Sequence, residues 1–317
     1  MSRIAAALAW ALLCAGNAFA QSYPSAPVKL VVGFPPGGAN DILGRLVGAK
    51  LTEAWGQPVL VENKPGANAI IATEFVAKSA PDGYTLLVGA SGAMTFNPGL
   101  YQKLNYDPVR DFAPVTLLGS FPLVLAVNPS VPAQTVKELI AHARDAGGKL
   151  NYAAGSTPFQ LAAELFKIQA GIAITHIPYK GSAAAVSSVM ANDTQLTFVD
   201  APPVVGQIRG GKLRGLAVTS GKRSSLVPEL PAIAEEMPGY EIIAWFGLVA
   251  PAKLPEAVVQ RLNDANMKAM AGADFKQRFA TIGADVAPMG PAEFGRFIQS
   301  EVAHWAKLVK LAGIEPE

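Results

Sequence analysis

The sequence predicts an α/β fold made of two lobes with a ligand cleft between them. Strand-like apolar runs alternate with helical segments as far as Val218, a pattern typical of sheets covered by helices on both faces. The alternation occurs as two series, and a polar, proline-rich stretch follows the second. The remaining third is mainly helical. A length of 317 residues, half of them hydrophobic, accommodates two such lobes.

The first series predicts one lobe. Its strands are expected at Val28–Phe34, Pro58–Glu62, Thr85–Gly89 and Val115–Leu118. The helices between them are expected at Asp41–Leu51 and Ala69–Lys78. Short connections between strands and helices argue against long structureless insertions and favour a mostly parallel, open sheet.

The second series predicts the other lobe. Its strands are expected at Phe121–Val127, Leu150–Ala154, Ile174–Pro178, Gln195–Val199 and Leu213–Val218. Its helices are expected at Val136–Arg144, Phe159–Gln169 and Ala183–Ala191. These elements again alternate, so the second sheet is also expected to be open and mostly parallel.

The last part of the chain is expected to return to the first lobe. A strand-like run covers Ile242–Ala250, and helices are expected at Leu254–Met270, Ala273–Thr281 and Pro291–Ala312. No further strand series remains for a third sheet. The chain would then cross between lobes twice, near Gly119–Leu125 and near Ser220–Ala244. This assigns residues 21–120 and 245–317 to lobe 1 and residues 121–244 to lobe 2, joined by two hinge segments.

The first 20 residues indicate export. Arg3 precedes an apolar run that is too short to span a bilayer, and Ala18-Phe19-Ala20 is an A-x-A cleavage pattern. We expect a signal peptide cleaved after Ala20 and a periplasmic protein; a buried N-terminal helix is the alternative. The single cysteine, Cys14, lies in this leader, so disulfides and thiolate chemistry are not expected in the mature chain.

Composition and motifs narrow the function classes. The net charge of +2 comes without a basic stripe, so nucleic acid is not expected as a partner. No cysteine–histidine cluster or carboxylate pair has the spacing of a metal site, and the glycine loops match no nucleotide-binding motif. We expect neither a metal nor a cofactor. The segment from Gly89 to Ala93 approaches a nucleophile elbow but lacks its last glycine, and the three histidines are poorly placed for a triad.

Four loops at the carboxyl ends of expected strands form the candidate site. They are Pro35–Asp41, Gly89–Thr95, Ala154–Phe159 and Val199–Pro202. Ligands of open α/β sheets bind at such ends, and bare backbone N–H groups at a helix start attract anions. The small and hydroxylated residues of these loops suit a carboxylate at each end of a ligand. Each of these residues is also a common helix N-cap, which is the alternative at every position.

Two acidic residues in these loops need separate interpretations. Asp41 lies in the first turn of a helix with Arg45 four residues later, so an ion pair that supports the helix start is expected. An anionic ligand would be repelled by this carboxylate unless a water bridges them. Asp200 could bind an ammonium group or cap the helix that follows it.

Four motifs follow one another along the mature chain. They are Pro36-Gly37-Gly38-Ala39-Asn40-Asp41 with Arg45, Ala80-Pro81-Asp82-Gly83-Tyr84-Thr85-Leu86-Leu87, Ile177-Pro178-Tyr179-Lys180-Gly181, and Trp245-Phe246-Gly247-Leu248-Val249-Ala250-Pro251. In their order and spacing, these motifs resemble the Bug family of periplasmic solute-binding receptors, the TctC-like components of tripartite tricarboxylate transport systems. The resemblance covers essentially the whole mature chain.

The resemblance implies a type II periplasmic-binding-protein fold that closes on a small carboxylate, such as a di- or tricarboxylate or an aromatic acid, and delivers it to membrane permease subunits. We expect a monomer without catalytic activity. A sensor that presents the closed form to a membrane partner, and a secreted serine hydrolase acting through Ser91, are the alternatives. The implied ligand-binding residues are Gly37, Gly38, Asn40, Asp41, Ser91, Ala93, Ser156, Thr157, Phe159 and Asp200.

The sequence departs from the family pattern at two places. Gln160 stands where the family often has histidine after a longer loop, and the preceding Phe159 suggests an aromatic or apolar acid as ligand, with packing inside the lobe as the alternative. The glycine pair that follows Pro-Gly-Ala in the family is replaced by Asn68-Ala69.

Overall fold

The computed structural model describes residues 23–311 and 316. The expected signal peptide and its cleavage site therefore lie outside the described residues. The described strands are β1 (Val28–Val32), β2 (Val59–Asn63), β3 (Thr85–Ala90), β4 (Phe112–Pro122), β5 (Val124–Val127), β6 (Leu150–Ala154), β7 (Ile174–Pro178), β8 (Leu196–Val199), β9 (Arg214–Val218), β10 (Ile243–Pro251) and β11 (Asp285–Met289).

Helices cover the faces of these strands. They are α1 (Ala39–Trp55), α2 (Ile70–Ala77), α3 (Asn97–Leu100), α4 (Val136–Asp145), α5 (Thr157–Ala170), α6 (Ser182–Ala191), α7 (Ala201–Arg209), α8 (Glu256–Ala271), α9 (Ala273–Thr281) and α10 (Pro291–Leu311). A π-helical turn, Gly92–Phe96, precedes α3, and short 3₁₀ turns occupy Ala67–Ala69 and Ile233–Glu235.

The strands form two open sheets. The first has six strands in the order β11-β4-β10-β3-β1-β2, and the second has five in the order β7-β6-β8-β5-β9. Strand β1 lies inside the first sheet, and Val28, Leu30, Val31 and Val32 have no exposed surface because the strand is covered on both faces.

Both sheets are mixed, which corrects the expectation of mostly parallel sheets. Strand β1 is parallel to β2 and β3, and β6 is parallel to β7 and β8. Strands β4, β10 and β11 pair antiparallel in the first sheet, as β5 does with β8 and β9 in the second. In the first sheet the reversed strands are β10, by which the chain returns to the sheet, and β11, whereas β4 keeps the direction of β1 and β3. In the second sheet the reversed strand is β5, by which the chain enters it.

Two strands differ from the expectation, one in its length and one because it was not expected. The strand expected at Val115–Leu118 runs over Phe112–Pro122, and a single residue, Leu123, separates its end from the start of β5. Strand β11 has no counterpart among the expected elements. Its sequence, Asp285 to Met289, contains a proline and lacks an apolar alternation, which is the composition of an edge strand.

The two crossings between the sheets meet at Thr219. Its backbone N–H donates to the Leu123 carbonyl at 2.9 Å, and its hydroxyl oxygen accepts from the Leu123 N–H at 2.8 Å. The same hydroxyl donates to the Ile242 carbonyl at 2.7 Å, while the Ile242 N–H donates to the Thr219 carbonyl at 2.9 Å. Thr219 is fully buried. One threonine therefore ties both crossings together.

The C-terminal helix packs on the first sheet, as expected. The ring of Phe294 on α10 lies edge-on to Trp245 of β10, with centroids 5.5 Å apart. A Cβ atom at Gly247 would lie 2.1 Å from the Phe294 ring, so this glycine leaves the space that the ring fills. The α10 face that carries Phe294 is thus buried against β10.

Candidate functional site

A cavity lies between the two sheets, at the carboxyl ends of β1, β3, β6 and β8. It is small, with a volume of about 40 Å³, because the two lobes lie close together around it. Its wall comes from both lobes and consists of Phe34, Gly38, Ala39, Asn40, Ala90, Ser91, Phe121, Gly155, Ser156, Pro158, Phe159, Gly181, Ser182, Asp200, Ala244 and Phe246. Six of the ten residues implied by the family resemblance are in this wall: Gly38, Asn40, Ser91, Ser156, Phe159 and Asp200.

The N-terminus of α1 forms the first-lobe side of the cavity. Gly38 is the N-cap in an extended conformation and, as a glycine, has no side chain that could cap this helix. The first backbone N–H groups of an α-helix have no acceptor within the helix, so those of Ala39, Asn40 and Asp41 need partners from outside it. Ala39 donates its N–H to the Oδ2 atom of Asp200, 2.8 Å away in the second lobe. A buried carboxylate of the second lobe thus binds the helix start of the first.

Asp41 supports this helix start from the other side and is not part of the cavity wall. Its carboxylate accepts from the Gly37 N–H at 3.1 Å, from Asn63 Nδ2 at 2.9 Å and from Arg45 Nε at 3.1 Å. Burial raises the pKa of this carboxyl, but the hydrogen bonds from Arg45, Asn63 and Gly37 outweigh it and hold the pKa below its ordinary value. The structure therefore places Asp41 and Gly37 as supports of the loop, and their contact with a ligand stays a prediction.

Replacing Asp41 with asparagine should make the free energy of unfolding less dependent on pH in the acidic range. A carboxyl whose pKa is lowered by folding contributes stability that is present above its unfolded pKa, about 4, and is lost as the pH falls through its folded pKa. We expect Asp41→Asn to be about 1–2 kcal/mol less stable than the wild type at pH 7, with the difference shrinking below pH ~4. Urea unfolding of both proteins at pH 7 and below pH ~4 measures this difference in stability. A difference that does not change with pH would contradict the role of the Asp41 carboxylate in supporting the helix start.

Asn40 and Asp200 each carry a side-chain oxygen without a donor. Both residues are almost fully buried and line the cavity. Among the described protein groups, none donates a hydrogen bond to Asn40 Oδ1 or to Asp200 Oδ1. Burial raises the pKa of Asp200, against the opposing effects of the Ser182 hydroxyl and the Ala39 N–H. The cavity therefore presents two hydrogen-bond acceptors, one from each lobe.

A second hydrogen bond joins the lobes at the start of α5. Thr157 lies behind the cavity wall and donates its hydroxyl to Asn97 Oδ1 at 2.7 Å. Asn97 Nδ2 donates to the Asn68 carbonyl at 3.1 Å, and Asn68 Nδ2 donates to the Tyr101 hydroxyl at 2.7 Å. Thr157 thus connects the second lobe to the first-lobe loop that contains Asn68.

The backbone of that loop has the conformation that glycine adopts most easily. Ala67, Asn68 and Ala69 have φ values of 45°, 49° and 66°, in the left-handed region that glycine adopts without strain. The loop lines a second opening between the lobes, together with Gly155 and Tyr179 to Gly181. Strained backbone at such a position is a feature of binding sites.

Replacing Ala67 with glycine should stabilise the protein. Ala67 is exposed, and its left-handed conformation costs about 1–2 kcal/mol, whereas the added freedom of glycine in the unfolded chain offsets about 0.4–1 kcal/mol. We expect Ala67→Gly to raise the free energy of unfolding by roughly 0.5–1 kcal/mol in urea titrations. The control, Ala141→Gly on the exposed face of α4, should lower it by about 1 kcal/mol. A loss of stability in both variants would contradict the claim that the left-handed backbone of Ala67 is strained.

Ser91 and Ala93 follow β3 in the π-helical turn. The Ser91 hydroxyl oxygen lines the cavity and accepts from the Trp245 backbone N–H at 3.3 Å. Ala93 lies behind the wall, where its carbonyl accepts from the Tyr106 hydroxyl at 2.7 Å. Of the described residues that line the cavity, none is a histidine. His142, His176 and His304 lie on α4, β7 and α10, the element types expected for them.

Four phenylalanine rings form the apolar part of the wall, and sequence reasoning identified only Phe159. Phe121 and Phe246 stack with centroids 4.7 Å apart and an interplanar angle of 24°. They come from β4 and β10, the strands next to the crossings, where alternate residues point to opposite faces of the sheet. Phe34 completes the set. Because Trp245 and Phe246 are neighbours on a strand, the sequence indicates that one of them points to each face of the sheet. It does not indicate which of the two faces meets the cleft.

Known proteins resemble this chain over nearly its whole length. Residues 43–314 match the tripartite tricarboxylate transporter family receptor. Protein BugT of Bordetella pertussis is 34% identical over 320 residues, covering 99% of this chain and 98% of BugT. The chain belongs to this receptor family. The family is one of solute-binding receptors, so the receptor role expected from the motifs is confirmed.

Solved structures confirm the fold of the receptor. R. palustris Rpa4515 with adipate has a TM-score of 0.90 and 36% identity, covering 93% of this chain and all of that one. MatC (Rpa3494) from Rhodopseudomonas palustris with bound malate has a TM-score of 0.84 and 30% identity, covering 90% and 100%. The receptor therefore has the two-lobe periplasmic-binding-protein fold, with open sheets. None of its described helices is long and apolar enough to cross a membrane.

Proposed function

We propose that the receptor closes on a small carboxylate in the periplasm and delivers it to permease subunits in the membrane. The observation that carries this proposal is the N-terminus of α1, which has no cap from its own N-cap residue and faces the second lobe across the cavity. Helix N-termini of this kind bind anions through backbone N–H groups and the helix dipole. Rpa4515 binds adipate and MatC binds malate, and both ligands are small carboxylates of the class proposed here.

The ligand contacts proposed here come from both lobes. The first lobe would supply Gly38, Asn40 and Ser91, with Gly37, Asp41 and Ala93 behind them. The second would supply Ser156, Phe159 and Asp200, with Thr157 behind them. Gly38 matters because a ligand can approach its backbone closely in the absence of a side chain.

The lobes are proposed to be residues 21–120 with 245–317, and residues 121–244. The chain changes sheet between Pro122 and Val124 and again between Val218 and Ile243, which supports boundaries within about two residues of these at the ends of β4 and β10. The bonds of Thr219 to both crossings support a hinge there, because a rotation of one lobe would be taken up by these few residues. Two cross-lobe hydrogen bonds, Ala39 to Asp200 and Thr157 to Asn97, would form on closure.

We also propose cleavage after Ala20, a monomeric receptor and no catalytic activity. The A-x-A pattern supports the cleavage site. The cavity wall offers Ser91 no histidine, among the residues described, to act as its base. Labelling of Ser91 by a fluorophosphonate, lost in Ser91→Ala, would instead favour a hydrolase.

A thermal-shift screen tests the carboxylate proposal. The panel contains adipate, malate, citrate, benzoate and the amino acids, each with the purified mature chain at pH 7.5. A ligand at 100 times its Kd should stabilise the folded protein by about 2.7 kcal/mol if it binds only that state. A rise in Tm with at least one carboxylate is expected. The absence of any shift across the panel would contradict the proposal.

A further inference from the structure

The cavity wall contains more hydrogen-bond acceptors than a plain carboxylate can use. Asn40 Oδ1 and Asp200 Oδ1 are both buried, and no described protein group donates a hydrogen bond to either in good geometry. The Ser182 hydroxyl lies near the Asp200 carboxylate and partly offsets the rise in its pKa that burial causes, without forming a regular hydrogen bond to Oδ1. A carboxylate ligand has only acceptor oxygens, so it cannot satisfy either atom. A buried acceptor left without a donor costs about as much as a lost hydrogen bond. The ligand or a trapped water must therefore supply N–H or O–H groups here.

The orientation of the Asn40 amide is fixed by its surroundings. Asn40 Nδ2 lies 3.4 Å from the carbonyl oxygen of Val88 on β3. Exchanging the amide nitrogen and oxygen would place two acceptor oxygens against each other. The amide oxygen is therefore the atom that remains without a partner.

The charge of the cavity wall also indicates that the ligand carries a hydrogen-bond donor. Asp200 is the only ionisable side chain among the described residues of the cavity wall. Its Oδ2 is bound by the Ala39 N–H, and its Oδ1 is the atom without a donor. Arg45 does not compensate for it, because its guanidinium pairs with Asp41 at 2.9 Å. A ligand carboxylate alone would add a second negative charge beside this buried one, and burial already raises the pKa of Asp200.

The remaining wall is largely apolar. Phe34, Phe121, Phe159 and Phe246 surround the polar atoms, together with Ala90 and Ala244, and the hydroxyl groups of the wall belong to Ser91, Ser156 and Ser182. Such a surface favours a hydrocarbon body, because none of the described residues in the wall carries a positive charge that would pair with a second carboxylate at the far end of a ligand.

We infer that the ligand is an amino acid with an apolar side chain. Its ammonium group donates to Asn40 Oδ1 and Asp200 Oδ1, its carboxylate lies at the N-terminus of α1, and its side chain packs on the phenylalanine wall. An ammonium fits better than a hydroxyl, because it supplies a hydrogen for each acceptor and a positive charge for Asp200. This inference rests on the proposed carboxylate receptor function and names its substrate class.

Titration calorimetry with matched ligands tests the inference on the mature wild-type chain. Each series keeps the carboxylate and the side chain and changes only the group at the α-carbon. One consists of L-leucine, L-2-hydroxy-4-methylpentanoate and 4-methylpentanoate, and the other of L-phenylalanine, L-phenyllactate and 3-phenylpropionate. In at least one series, we expect the amino acid to bind about 10- to 100-fold more tightly than the acid without the donor, with the hydroxy acid between them.

Variants assign the preference to the two acceptors. Asp200→Asn keeps an oxygen for the Ala39 N–H and turns the second atom into a donor, so the preference for the amino acid should disappear or reverse. Asn40→Leu, which has a similar volume and no oxygen, should weaken the preference independently. Asp193→Asn, an exposed aspartate of the same lobe, is the matched control and should leave it unchanged. Far-UV circular dichroism checks that each variant folds.

Four outcomes would overturn the inference or its assignment to these two atoms. Equal binding of amino acid and donor-free acid would mean that water satisfies the two acceptors. Binding of adipate or malate without any amino acid would leave the carboxylate receptor standing and refute the ammonium site. Binding of no carboxylate and no amino acid would refute both proposals. A retained preference in folded Asp200→Asn and Asn40→Leu would refute the assignment to these atoms.

Discussion

Gly38→Val should abolish ligand binding while leaving the fold nearly unchanged. Gly38 is the N-cap of α1, with φ −86° and ψ 169°, which valine adopts without strain. A Cβ atom at this position would lie 3.2 Å from Ser182 Oγ and 3.8 Å from Asp200 Oδ2, both in the opposite lobe. The two methyl groups of valine extend further into the same space. They would therefore block both the closure of the lobes and the approach of a ligand to the backbone.

The expected loss of affinity is about 100-fold or more, from overpacking a site with no room for extra methyl groups. Titration calorimetry with the carboxylate that stabilises the wild type most measures it. Gly38→Ala is the graded control and should lose about tenfold or less, because the Ser182 hydroxyl can rotate away from a single methyl group. The melting temperature of both variants should stay close to that of the wild type. Normal binding by Gly38→Val would mean that the anion does not bind at this loop.

Phe294→Ala should cause a large loss of stability. Phe294 is fully buried, fills the space left by Gly247 and packs edge-on against Trp245. Removing the ring leaves a cavity between α10 and the first sheet, for which we expect a loss of 3–5 kcal/mol in the free energy of unfolding. This helix is the last element of lobe 1, so the same change tests the return of the chain to that lobe.

Urea unfolding measures this loss of stability, and a variant at a surface phenylalanine serves as the control. Phe75→Ala, at a ring that is 39% exposed and lies below the Lys64 ammonium, should lose about 1 kcal/mol or less. If Phe294→Ala does not fold, Phe294→Leu should fold with a loss of about 1.5 kcal/mol or less. A Phe294→Ala variant within about 1 kcal/mol of the wild type would contradict the packing of α10 on β10.

The first-lobe loop was predictable because its signals are local. A buried strand, a Pro/Gly turn and a helix start follow one another within 14 residues, from Val28 to Asp41. The ion pair of Asp41 with Arg45 follows from helical spacing alone and is present. Asp200 was expected either to cap a helix or to bind a cation. It lies at the N-cap position of α7 without a side-chain capping bond, and binds the start of α1 instead.

Contacts between the lobes were not predictable from one sequence. Ala39 and Asp200 are 161 positions apart, and Thr157 and Asn97 are 60 apart. No local pattern fixes such a pair, because it depends on how two sheets are placed across a hinge. The stacked rings of Phe121 and Phe246 escaped prediction for the same reason. Strand β11 escaped because an edge strand needs no apolar alternation.

The central claim is that the two lobes close on a carboxylate. The one cysteine of the chain, Cys14, lies in the expected leader, so a labelled pair can be introduced into the mature protein without removing another thiol. Pro65→Cys and Lys180→Cys place exposed positions on opposite sides of the opening between the lobes. Without a ligand, the unpartnered oxygens of Asn40 and Asp200 favour an open cleft where water reaches them.

The decisive measurement is the distance between spin labels at these two positions, with and without each carboxylate and amino acid of the panel. We predict a longer, broader distribution without ligand, and a shift to one short distance with any ligand that stabilises the protein. The shift should be absent in Gly38→Val. A ligand that stabilises the wild type without changing the distance would contradict the closing receptor.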